Sequence, residues 1–338
     1  MTVDPTTNPI APTSRWMAAA RAREGERPDR LFDDPLASAL AGPDGFAWLE
    51  RMESAARSES PGLYPVIRTR FFDDFLLDAC RRSEVRQVVL AAAGLDTRAF
   101  RLNWPSGTRL YEMDLPEVLD AKEEVIETAG AKASCERRTV RVDLGQETWP
   151  ETLLAAGYRP ERPSVWLIEG LLFYLTHAAV HGLLEKVGTL TASGSLLGLD
   201  VMNRGLFFSP VSWPMRAALA RRGAPGRFGT NDPETLMARY GWEADVTQPG
   251  EEGANFGRWP RAMAQADGAP KVAGPAAKLP GEGASLVNYY ERTAGGNARQ
   301  IRPCSNALQF QEMSPELFTR ISWRCHDGRT AKRATARE

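Results

Sequence analysis

Between residues 85 and 200, short apolar or β-branched runs alternate with amphipathic helical segments. The runs at 85–92, 109–114, 139–143, 164–169 and 195–200 are too short for stable helices, and each ends in a small or polar residue. Strands separated by helix-length connections pair in parallel, with the crossover helices packed on both faces of the sheet. The predicted fold is therefore α/β, a doubly wound, mostly parallel, Rossmann-like sheet. A sixth strand is expected at 242–247.

The connecting segments carry their own signals. Pro116 suits the first turn of a helix that closes near Gly130. Thr176 suits an N-cap, with Val180, Leu183, Leu184, Val187 and Leu190 on one inward stripe. Residues 1–82 read as an N-terminal arm and helical cap. Within them, 63–82 forms a helix with Arg68, Phe72, Phe75 and Cys80 turned inward and Arg70, Asp73, Asp74, Leu77 and Arg81 outward. The α/β domain spans 83–262, with a helical lid inserted at about 202–240. Residues 263–338 are rich in Ala, Gly, Pro and charge, with only weak local runs such as SLVNYY, and are expected to form a poorly ordered tail.

Composition narrows the function. Among 338 residues, 42 basic side chains face 43 acidic ones, without the basic excess that a nucleic acid partner requires. No run of about 18–20 apolar residues marks a membrane span and no leader pattern opens the chain, so a cytoplasmic protein is expected. Cys80, Cys135, Cys304 and Cys325 lack paired spacing, and with three histidines in the chain no metal site is expected.

In an open parallel sheet, ligands bind beyond the carboxyl ends of the strands. The first strand runs into Ala92-Ala93-Gly94-Leu95-Asp96-Thr97, where Gly94 permits close backbone approach. Asp114 follows twenty residues later, at the end of the second strand, and an acceptor-only carboxylate there can hold both hydroxyls of a ribose. The G-x-G-x-x-G pattern of a dinucleotide site is broken by Ala92 and Thr97. Asp96 would repel a pyrophosphate but tolerate a sulfonium or ammonium, which favours S-adenosyl-L-methionine over NAD; it could equally cap the following helix. Asp143 could accept from the adenine amine while Leu144 lies against the base, or Asp143 could cap the next helix. Glu169, at a strand end beside apolar residues, calls for a cationic or hydroxyl-bearing partner. Arg68 offers a planar fork for the methionyl carboxylate, or an ion pair with the sheet.

The motifs AAARAREGERPDRLFDDPLA, IRTRFFDDFLL, VVLAAAGLDTRAFRL, YEMDLPEVLDAK, VRVDL and LIEGLLFYL occur in that order between Arg15 and about Pro260. In these the chain resembles the leucine carboxyl methyltransferase-like family, most closely its bacterial branch of S-adenosyl-L-methionine-dependent O-methyltransferases. The resemblance implies a class I methyltransferase fold in which Arg68 grips the methionyl carboxylate, Gly94 lies under the cofactor and Asp114 holds the ribose. It further implies that Asp143 and Leu144 flank the adenine, that Glu169 lies near the methionyl amine or the adenosine, and that Arg21 is a second carboxylate contact. Two departures stand out: Ala92 replaces the first glycine of G-x-G, and the stretch after Pro260 lacks the short apolar strand that usually completes the sheet.

The expected reaction is methyl transfer to a carboxylate or phenolic oxygen of a small molecule, with Tyr174 as the residue that orients the acceptor. His177, close by in sequence, could serve a phenol as base but also falls on the first turn of a helix, where a solvated residue is normal. Alternatives are a protein C-terminal carboxyl methyltransferase and a non-catalytic relative that binds the cofactor only.

Overall fold

The computed structural model describes residues 11–56, 60–82, 85–208, 213–221, 225–259 and the main chain of 284–292. Three helices come first: α1 (Ala11–Gly25), α2 (Ala37–Ala56) and α3 (Ser60–Arg82). α2 is kinked at Gly42, whose φ of 58° precedes Pro43. The alternation follows: β1 (Gln87–Ala91), α4 (Arg98–Arg101), β2 (Arg109–Asp114), α5 (Pro116–Thr128), β3 (Glu136–Arg141), α6 (Trp149–Ala155), β4 (Val165–Ile168), a 3-10 turn (Leu172–Tyr174), α7 (His177–Thr189) and β5 (Leu196–Met202). Short helices α8 (Arg204–Phe207), α9 (Trp213–Ala220) and α10 (Pro233–Ala238) lead to β6 (Trp242–Thr247) and β7 (Ala284–Arg292).

The sheet order is β3-β2-β1-β4-β5-β7-β6, parallel from β3 through β5 and antiparallel at β7. Strand order reverses between β1 and β4, so the crevice expected for a ligand opens there. β1 is buried on both faces: Val88 and Leu90 pack toward α3, Val89 and Ala91 toward α6 and α7. That double burial is why its sequence is a continuous apolar run rather than an alternating one. The α6–α7 side adds an edge-to-face aromatic group in which Tyr158 meets Tyr111 and Trp166 at 5.8 and 5.7 Å. Thr176 caps α7, its Oγ1 accepting from the Ala179 amide at 3.2 Å.

Three expectations need correction. β3 begins three residues earlier than read and ends at Arg141, because it pairs with β2 at its exposed side and is held by charges rather than apolar faces. Arg137 meets Glu112 at 2.6 Å, and Arg109 meets Glu136 at 2.8 Å. Asp73, placed on the solvent stripe of α3, is buried, because Arg98 and Arg101 of α4 draw its carboxylate under the sheet edge.

The third correction concerns the tail. The run SLVNYY lies in β7, which is inserted between β5 and β6 and completes the sheet. Main-chain hydrogen bonding on both edges holds a strand there without the long apolar periodicity that was the basis for expecting disorder. The rest of 263–338 lies outside the described residues.

Candidate active site

Beyond β1 the chain turns sharply, with Ala92 and Gly94 both left-handed at φ 57° and 49°. The turn aims the Gly94 amide at the end of β2, where it donates to Asp114 Oδ2 at 2.6 Å. Asp114 Oδ1 accepts from the Leu115 amide at 2.7 Å. The two residues singled out at a twenty-residue spacing are thus one hydrogen bond apart. Burial pushes the Asp114 carboxyl above its ordinary range, and the two amides offset part of that. A side chain at Gly94 would meet Ser14 Oγ of α1 at 3.3 Å, so the first turn of α1 lies directly over the glycine.

Across the crevice stands Arg68. Its Nε lies 2.9 Å from Glu169 Oε1, its Nη1 donates to Asp200 Oδ2 at 2.7 Å, and its Nη2 meets the thioether of Met17 at 3.1 Å. Gly170, at φ 71°, keeps this possible: a Cβ there would sit 3.2 Å from Arg68 Nη1. Glu169 is shared with Arg98, whose Nη1 reaches Oε2 at 2.9 Å. Arg68 thus forms the ion pair with the sheet. Nη1 is hydrogen-bonded to the sheet and Nε is in ion-pair range of Glu169, while Nη2 lies on a thioether, a weak acceptor.

Arg98 also pairs with Asp96 and with Asp73. Arg101 makes two bonds to Asp73, at 2.6 and 2.8 Å. Asp96 accepts from the Arg98 amide at 2.7 Å, so it does serve the start of α4. Burial works to raise the Asp96 carboxyl, but Arg98, with Lys122 and Arg101 behind it, holds it down at about 2. Arg21 donates from Nε to Asp34 Oδ2 and from Nη2 to the Leu95 carbonyl, both at 2.7 Å. It therefore pins the turn after β1 from behind. Asp34, Asp73, Asp96, Glu169 and Asp200 thus face Arg21, Arg68, Arg98 and Arg101 in one connected, buried network with one carboxylate in excess.

The remaining candidates are placed as follows. Asp143 is exposed two residues past β3 and folds back on the Gly145 amide at 2.8 Å and Gln146 Nε2 at 3.2 Å. It closes its own loop; α6 begins later, behind Thr148. The Val142 amide, one residue earlier, donates to the Asp114 carbonyl at 2.8 Å, which brings this loop beside Asp114. Leu144 packs on the core. Tyr174 bonds the Thr13 side chain near Arg68 and Asp200, and burial raises its phenol. His177 is exposed against the ring of Phe228, at 4.9 Å.

Asp200 was missed as a site residue, although it sits in β5 near its carboxyl end. It gathers Arg68, the Tyr64 hydroxyl at 3.1 Å and the Gly170 amide at 2.6 Å. The rule that flagged Asp114 and Glu169 applies to it equally. Arg98, fully buried, carried no signal beyond its place after the turn.

The donor set fits a nucleoside that carries positive charge and no phosphate. Two left-handed glycines thin the crevice walls, Asp114 offers acceptors, Arg68 Nη2 offers a weakly engaged donor, and the buried network has an excess carboxylate. With the reversal between β1 and β4 and the antiparallel β7, this defines a class I methyltransferase.

The comparisons agree. The leucine carboxyl methyltransferase family model matches residues 14–188. A Frankia alni protein named "Putative S-adenosyl-L-methionine-dependent methyltransferase FRAAL3718" is 42% identical over 264 residues, covering 74% of this chain and 90% of its own. A Streptomyces avermitilis protein with the same description is 41% identical over 267 residues, at 74% and 90% coverage. In structure, a DUF574 family protein from Streptomyces avermitilis superposes with a TM-score of 0.53 over 82% of this chain and 97% of its own, at 14% identity. The chain belongs to the leucine carboxyl methyltransferase family, in its bacterial S-adenosyl-L-methionine-dependent methyltransferase branch. Among the described residues no group of His, Cys, Asp and Glu could hold a metal, and no helix is long and apolar enough to cross a membrane.

Proposed function

We propose that this protein methylates a carboxylate or phenolic oxygen of a small molecule in the cytoplasm, without a nucleic acid or membrane partner. One observation carries the reading: the Gly94–Asp114 hydrogen bond on one side of the crevice faces the Arg68–Glu169–Asp200 cluster on the other. Bound S-adenosyl-L-methionine supplies an electrophilic methyl group on a sulfonium.

The chain's own residues then have to bind, orient and exclude water. Asp114 accepts from the ribose hydroxyls, and Arg68 Nη2 turns from Met17 to the methionyl carboxylate. Glu169 and Asp200 keep the surrounding charge negative. Asp143 and Leu144, beside Asp114, border the adenine. Arg21 acts at one remove, by fixing the turn through Leu95.

Oxygen as the acceptor atom is supported by the residues after β4. An amine-directed nucleic acid methyltransferase would carry an Asp/Asn-Pro-Pro-aromatic sequence there, whereas this chain has Glu169-Gly-Leu-Leu-Phe-Tyr. Tyr174, its phenol raised by burial, stays a neutral donor at physiological pH and orients an acceptor rather than deprotonating it. A carboxylate acceptor is already ionised and needs no base. The three helices after β5 serve as the lid: the Arg227 amide donates to the Phe173 carbonyl at 2.8 Å, and Phe207 meets the Phe173 ring at 5.2 Å.

Incubation with labelled methyl donor and a panel of phenols, carboxylic acids and peptides tests the reading. Label in a base-labile ester or an aryl ether of a small molecule supports it. Label only on peptide carboxyl termini, or on nitrogen, overturns it.

A further inference from the structure

Around the insertion after β5, aromatic rings form a ladder that leads away from Tyr174. Tyr174 meets Phe173 at 5.0 Å, Phe173 meets Phe207 at 5.2 Å, and Phe207 meets Phe208 at 4.7 Å, each edge to face. The inner rungs are covered: Phe207 is fully buried, and the main chain at Gly226 passes so close that a Cβ there would collide with Phe173 and Phe207. The outer end is open. Phe208 is 56% exposed and Trp213 65%, the two most exposed large apolar side chains among the described residues.

Guanidinium groups frame that open end. Arg216 stacks over Phe207 at 4.6 Å and over Phe208 at 5.1 Å, and Arg204 over Phe208 at 5.9 Å. Among the described residues neither arginine has a carboxylate partner. The charge is not incidental to the segment: residues 202–240 hold six arginines against two carboxylates, in a chain whose net charge is −1. Exposed rings offer a face to an apolar body, and arginines stacked on rings present their N–H edges to an anion.

We infer that the acceptor is an aromatic acid with a second anionic group, its outer ring lying on the exposed Phe208 at the open end of the ladder and its distal carboxylate held by Arg204 and Arg216. This rests on the proposed methyl transfer, since Tyr174 at the inner end is what orients the reacting oxygen. It adds the substrate class that the insertion selects, and it gives the lid a recognition role besides excluding water.

The test is equilibrium binding, by fluorescence, of a series of aryl carboxylates from benzoate through naphthoate to biphenylcarboxylate, each paired with its carboxamide. Affinity should rise along the series, and the longer acids should bind about tenfold more tightly than their amides, the scale of one charge-assisted contact. In the Arg204→Gln/Arg216→Gln double variant that preference should fall toward unity. In Phe208→Leu the gain with ring number should shrink while the acid–amide preference persists. S-adenosyl-L-methionine affinity, measured by calorimetry on the same preparations, should match the wild type in both variants.

Equal binding of acid and amide to the wild type overturns the inference, as does failure of every probe to bind at ~1 mM or a preference that survives the double variant. Selective binding of an acidic peptide in place of the small acids also overturns it. If S-adenosyl-L-methionine binds while the preference is missing, only this inference falls; if S-adenosyl-L-methionine does not bind, the methyltransferase reading falls with it.

Discussion

Arg68 of α3 and Asp200 of β5 are 132 residues apart in the chain, yet they form a 2.7 Å ion pair at the mouth of the sheet. Through Asp200 Oδ1 the pair also holds the Gly170 amide, at 2.6 Å, so one carboxylate fixes both the arginine and the turn after β4. Removing one partner of a buried pair leaves the other charge uncompensated, at a typical cost of about 3–5 kcal/mol. Glu169 still neutralises Arg68, so Asp200→Ala should lower stability by about 2–3 kcal/mol, with Asp200→Asn costing less because it keeps an acceptor for Gly170. Urea unfolding measures both; equal and negligible losses would show that the pair does not organise the site.

The left-handed turn after β1 makes opposite predictions for neighbouring residues. Ala92 holds φ 57° with a Cβ, a conformation that costs an L-residue about 1–2 kcal/mol. Ala92→Gly should raise stability by about 0.5–1 kcal/mol after the extra unfolded-state freedom of glycine is subtracted. Gly94→Ala adds a methyl at φ 49° against Ser14 Oγ, and should lower stability by about 1–2 kcal/mol and weaken cofactor binding. Thermal unfolding with and without cofactor reads both.

Acid should loosen the region around α4 before the rest of the sheet. Asp96 is held at about 2 in the fold because Arg98, Lys122 and Arg101 outweigh its burial, against an ordinary value near 4. A carboxylate with a lowered folded value contributes stability that is fully present above its unfolded value and lost as pH falls through the folded one. The contribution, on the order of 2 kcal/mol, should therefore vanish between about pH 4 and pH 2. Asp34, lowered by Arg21 and Arg101 against its own burial, adds to the same acid limb. Urea midpoints from pH 5 to about pH 2 should fall less steeply in Asp96→Asn than in the wild type; superimposable slopes would contradict this.

Arg21 separates a direct ligand contact from a positioning role. Because its Nη2 is spent on Leu95, Arg21→Met should destabilise the fold by about 2–4 kcal/mol while changing the calorimetric cofactor affinity by less than about tenfold. A stable variant that has lost cofactor binding would make Arg21 a ligand contact instead.

Much of this was legible in the sequence because it rests on local rules. The parallel strands, the α7 cap at Thr176 and the inward stripe holding Arg68 follow from periodicity and capping, which a one-dimensional reading captures. What escaped depends on partners distant in sequence. Asp73 is inward only because α4 brings Arg98 and Arg101 to it, and the start of β3 is polar because β2 supplies its neighbours. β7 was hidden for the same reason, since its two partners, β5 and β6, lie more than thirty residues upstream. The loop bond of Asp143 to the Gly145 amide and the core contact of its neighbour Leu144 likewise depend on the folded turn after β3.

The most direct test is calorimetric titration of the wild type, Asp114→Ala and Arg68→Gln with S-adenosyl-L-methionine and with NAD. The account predicts saturable binding of S-adenosyl-L-methionine to the wild type, at least about tenfold weaker binding in each variant, and no heat with NAD. Absence of S-adenosyl-L-methionine binding, or affinities unchanged in both variants, would contradict it.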